Sequence, residues 1–139
     1  MSPDDVSFAA SLNKLLLSED LQSLKVTYND LHGLHGGLTL SIDGMGKVEQ
    51  QSLRAQVGTP VTVKQSDIKK LITLLIELQA WKQLVPERMP VPDESRATLT
   101  IEIEGQSSLL WEWFNDLSAN NRLLRIATLM KEIAWKNLV

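Results

Sequence analysis

The only two histidines of the chain, His32 and His35, stand three residues apart in the glycine-rich stretch HGLHGG, with Asp30 just ahead and Asp43 further on. Imidazole and carboxylate are the usual donors to zinc, which takes three or four convergent ligands at about 2.0 to 2.2 Å. Two histidines on a glycine-rich loop do not impose that convergence, so no metal site is assigned. Gly33, Gly36 and Gly37 do not make a phosphate cradle either, because no Lys-Ser/Thr pair follows them and the next element reads as a strand. Glu102, Glu104 and Glu112 invite comparison with the acid and base pair of a glycosidase. Glu102 and Glu104, however, alternate with Ile101 and Ile103, which places them on the polar face of a strand. Serine and threonine are plentiful, but a nucleophile needs a base held by a third group, and both imidazoles sit in the loop. The expectation is an absence of catalytic residues, metal and cofactor.

Two sets of residues remain as candidates for contact with another molecule. The first is the loop His32, Gly33, Leu34, His35, Gly36 and Gly37, either a hairpin tip with no further role or a projection that enters a partner's groove. The second is the pair Trp111 and Trp113, which share one face of a strand while Phe114 points the other way. A tryptophan pair at strand spacing is either core or, left exposed, an anchor for a second chain.

The elements that must position these residues follow from length and pattern. The 139 residues match one domain, with 43% apolar and 22% charged residues as in ordinary globular proteins. The net charge of −3, with both signs spread along the chain, supplies no clustered positive field for a phosphate backbone, which argues against nucleic acid. With no cysteine there is no disulfide or thiolate chemistry. The first residues are acidic and interleave polar with apolar types, unlike a secretory signal, and the longest apolar stretch, residues 71–81, falls short of the roughly 20 that span a bilayer. The expectation is a cytoplasmic protein without a membrane partner.

Ser2-Pro3-Asp4-Asp5 has the makings of a helix start, and Phe8, Leu12, Leu15 and Leu16 stripe residues 1–17 at helical spacing. Residues 24–28 and 38–42 alternate as strands joined by the glycine loop, and Asp43-Gly44 turns the chain toward a third strand within 48–57. Ser66 and Asp67 suggest the cap of a central helix reaching about Leu84, and Pro86, Pro90 and Pro92 then forbid helix. Residues 97–103 form the cleanest strand, reversed at Gly105 into 108–114, and a last helix starts near Ser118 or Asn120. The fold class expected is α+β: an antiparallel sheet of four or five strands in two hairpins, covered by three helices in the order α-β-β-(β)-α-β-β-α.

The strand LKVTY, the HGG at residues 35–37, the returning strand LTLSIDG, the central helix, the proline loop ending in Asp93, the strand LTIEIEG and the closing helix together cover residues 24–135. This arrangement resembles the emfourin family of small bacterial inhibitors of thermolysin-like metalloproteases. The family's hairpin tip looks like Ser-Gly-Gly-Phe-Ala-Gly, whereas this chain has HGLHGGL with no aromatic after the glycines. The resemblance implies that the loop His32 to Gly37 contacts a protease, and that the N-terminal helix is an addition to the family's core. From the residues themselves, the reading is a non-enzymatic domain that binds another protein or a second copy of itself. Protease inhibition and small-ligand binding between sheet and helices are the alternatives.

Overall fold

The computed structural model describes residues 3–30, 37–52, 62–82, 96–113 and 121–135. Helix α1 spans Pro3–Leu16 and buries Phe8, Leu12 and Leu15, the stripe expected from their spacing. It closes with the Leu17 and Ser18 amides bonding back three residues, and a turn led by Ser18 and Asp20 drops Leu21 and Leu24 into the core. Strands β1 (Lys25–Asn29), β2 (Leu38–Asp43) and β3 (Val48–Ser52) follow as a meander, then helix α2 (Gln65–Glu77), the hairpin β4 (Arg96–Ile103) and β5 (Gln106–Trp113), and helix α3 (Arg122–Ala134). The fold is therefore α+β, with five strands.

All neighbouring strands are antiparallel, in the spatial order β3-β2-β1-β4-β5, so the two hairpins meet along the seam between β1 and β4. Along that seam Val26 lies opposite Ile101 and Tyr28 opposite Leu99. With Leu40 and Ile42 of β2 these side chains are buried on the face that the helices cover. Helix α3 crosses this face obliquely: its first turn meets Glu112 of β5, while the Trp135 indole just past its end donates to Gln50 of β3 at 2.8 Å. Helix α2 packs between α1 and α3. No described helix is long and apolar enough to cross a membrane.

The opposite face carries Lys25, Thr27 and Asn29 of β1, Thr39 and Ser41 of β2, and Thr98 and Thr100 of β4. Short hydroxyl and amide side chains bond across the strands here, Thr27 to Ser41 at 3.0 Å and the Thr39 hydroxyl to Asn29 Oδ1 at 2.9 Å. Period-two alternation along β1 and β4 fixes which side chain reaches which face.

Element ends depart from the sequence expectation in instructive ways. Helix α2 stops at Glu77, short of residue 84, because Gln79 takes φ +49° and its N–H donates to Ile76 while Ala80 N–H reaches Leu75. This pair of bonds is a Schellman ending with glutamine where glycine is usual, so the stop carries no sequence flag. The same helix starts from Lys64, whose carbonyl accepts the Asp67 and Ile68 amides, and Asp67 is a buried first-turn residue, not the cap. Glu104 leaves the strand: with φ +48°, followed by Gly105 at +79°, it forms the two-residue turn between β4 and β5. Strand β3 covers residues 48–52, and residues 53–57, Phe114, Ser118 and Asn120 lie outside the described residues, α3 beginning at Arg122 after Asn121 at φ +63°.

Candidate functional site

Trp111 and Trp113 project from β5 on the face away from the helices, their rings edge-on with centroids 5.2 Å apart. Arg96, across from Trp113 on β4, lays its guanidinium over both rings, 4.2 Å from the Trp111 centroid and 5.0 Å from that of Trp113. A planar cation over an indole gains from the ring quadrupole and from stacking, which holds the Arg96 side chain in place. Trp113 is only 7% exposed, whereas Trp111 is half-buried and Leu109, two positions along the same face, is 60% exposed. Trp81, the other tryptophan of interest, is buried against Phe8 on the helix side. The cluster at Trp111 thus has a solvent-facing flank running from Arg96 to Leu109.

The base of the glycine loop is held by Asp30. Its Oδ1 accepts the Leu38 amide at 2.8 Å, its Oδ2 accepts the Tyr28 hydroxyl at 2.9 Å, and its own N–H donates to the Leu38 carbonyl at 2.9 Å. Gly37, at φ +86°, lies so close that a Cβ there would stand 2.3 Å from the Asp30 carbonyl oxygen. Only glycine fits that contact and that φ together. His32, Gly33, Leu34, His35 and Gly36 lie outside the described residues. Asp43 lies away from the base of this loop: it pairs with Lys25 at the far end of the hairpin, about 13 Å along the strand, and its carboxylate caps its own turn through the Met45 and Lys47 amides. Among the described residues no group of three His, Cys, Asp or Glu side chains is placed to hold a metal ion.

Behind the loop base lies a buried polar junction that the sequence pattern did not reveal. Glu112 alternates with Trp111 and Trp113, so it points to the helix side, where it is fully buried and accepts the Leu123 amide at 3.1 Å. A carboxylate at the first turn of α3 satisfies an amide that has no partner within the helix and sits at the positive end of its dipole. One residue earlier, at the start of α3, Arg122 grips the end of α2, donating to the Leu78 and Lys82 carbonyls at 2.8 Å each and to Gln79 O. Burial lowers the Arg122 pKa from its ordinary value, and the charge of Glu112 opposes that shift. Burial, followed by the charge and hydrogen bond of Asp30 and the charge of Glu112, pushes Tyr28 far above the ordinary phenol range. Tyr28 therefore works as a neutral donor. The signal that could have exposed Glu112 is its place in a strand with tryptophans on either side, ten residues before a helix start.

Strand register brings the two sequence-selected regions to one end of the sheet. Asn29 lies opposite Thr98, and Thr98 opposite Trp111, so the base of the glycine loop and the Trp111–Trp113 pair are two strand spacings apart, about 10 Å. Glu102 is exposed at the other end of β4. No family model, curated protein or solved structure matches this chain.

Proposed function

We propose that this is a non-enzymatic protein-interaction domain that meets its partner at the end of the sheet where Arg96, Trp111 and Leu109 face solvent beside the base of the glycine loop. The observation that supports it is the Arg96–Trp111–Trp113 cluster on the face away from the helices, flanked by Leu109 at 60% exposure. Tryptophan and arginine are the residue types that carry most binding energy at protein interfaces. Two buried carboxylates at this end of the sheet are engaged in building the fold, Asp30 with Tyr28 and Leu38, Glu112 with the start of α3. Selection of peptides from a displayed random library, run in parallel on the wild type and on the Trp111→Ser, Leu109→Ser double variant, tests the reading. Peptides that bind the wild type and lose the variant are expected, whereas ligands that ignore the substitutions, or none at all, refute it.

A second reading is that the loop His32 to Gly37 enters the active site of a thermolysin-like metalloprotease. It is favoured by the way Asp30 and Gly37 fix the loop's two ends, since a pre-set base spares a projecting loop part of its ordering entropy on binding. Inhibition of several such proteases by the wild type, lost when residues 32–36 are replaced by a short linker, is the expected result. Unchanged proteolysis with folded protein in excess removes this reading.

A further inference from the structure

We infer that the segment this surface recognises is an extended, acidic one, with a carboxylate seated on Arg96 and an apolar side chain on Leu109; the inference rests on the interaction reading above and names its partner's chemistry. Arg96 is exposed, and among the described residues the two indoles hold its plane. Stacking uses the faces of a guanidinium and leaves its N–H edge for a carboxylate, which it binds through two parallel hydrogen bonds. Among the described residues no carboxylate pairs with Arg96. Register explains why. On this face the acidic residue of β4, Glu102, stands six positions away, about 20 Å, while Asp30 is engaged at the loop base and Glu112 points through to the helix side. Among the described residues Arg96 is thus an exposed cation with no carboxylate facing it, a local complement for negative charge.

The same register fixes the spacing. Arg96 is opposite Trp113 and Thr100 is opposite Leu109, so the cation and the exposed leucine are four strand positions apart, about 13 Å. An extended segment covers that distance in four residues. Its carboxylate therefore comes four positions from its apolar side chain, the stretch between them passing over Trp111.

The test is a titration of the intact protein, followed by its tryptophan emission, with a capped peptide carrying two adjacent glutamates four and five positions ahead of a leucine. A twin with glutamines in place of the glutamates serves as control. The acidic peptide is expected to bind about tenfold more tightly than its twin, the worth of one charge-assisted hydrogen-bonded pair. Arg96→Gln should erase that advantage, and Arg96→Lys, which keeps the charge but not the fork, should recover only part of it. Equal binding of the two peptides, no binding of either at millimolar concentration, or an advantage that survives Arg96→Gln overturns the inference. The broader interaction reading fails separately, if the peptide library yields nothing that depends on Trp111 and Leu109.

Discussion

Arg122 makes the sharpest demand on the architecture, because one side chain at the start of α3 closes the end of α2. Replacing it with methionine keeps most of the aliphatic stem and removes three donors, leaving the carbonyls of Leu78, Gln79 and Lys82 without them. A hydrogen bond to a charged donor is worth about 1.5 to 3 kcal/mol when buried. Arg122 is only half-buried, so solvent screening reduces each bond to about 1 kcal/mol and the total to about 3 kcal/mol. Against a folding stability of about 5 to 15 kcal/mol that is a large share, and it corresponds to a fall in Tm of about 10 °C. Urea unfolding followed by circular dichroism measures it, with an unchanged slope against denaturant showing that stability alone has moved. Arg122→Lys should fall between the two, since an ammonium reaches fewer of the three carbonyls at once. A loss below about 1 kcal/mol for Arg122→Met would show that α2 is held by apolar packing and that the clamp is incidental.

Four further expectations follow from particular residues. Tyr28 is the only tyrosine in the chain, and its pKa in the folded state lies above the unfolded value of 10.0. Above pH 10 the unfolded chain therefore releases a proton that the folded one keeps, so stability present below pH 10 should decline by about 1.4 kcal/mol per pH unit from this group, and Tyr28→Phe should flatten that decline. Tyrosinate absorbance should appear only as the protein unfolds. Gly37→Ala should cost more than about 2 kcal/mol and speed amide exchange at Leu38, since its Cβ has no room beside Asp30. Glu104→Asn, by contrast, should raise stability by about 0.5 to 1 kcal/mol in thermal melts, because asparagine accepts the positive φ of the turn's first position. Gln79→Gly should do the same at the end of α2 by about 1 kcal/mol, and its backbone carbonyl would still receive Arg122.

What the sequence made legible was whatever depends on periodicity. The alternation from Ala97 to Ile103 and the spacing of Phe8, Leu12 and Leu15 each name a buried face without reference to the rest of the chain. The ends of elements were harder, because positive φ at Gln79 and Glu104 falls on residues that do not announce it. Glu112 escaped for a different reason: a glutamate flanked by tryptophans reads as the polar side of a strand until the helix whose first amide it accepts is in place. The fate of Trp111 and Trp113 was equally invisible, for it depends on Arg96 from the partner strand. Nor could pattern alone show that the base of the glycine loop and the tryptophan pair share one end of the sheet, since that rests on the pairing of β1 with β4.

That seam has a consequence for how the chain comes off the ribosome. The Thr98 hydroxyl that reaches the Asn29 carbonyl across it belongs to a residue made 69 positions later. At about 5 to 20 residues per second β1 waits roughly 3 to 14 s for that neighbour. During that interval the apolar side of Val26, Tyr28, Leu40 and Ile42 is without β4 and α3, which makes the nascent meander the stage most open to chaperone capture or mispairing.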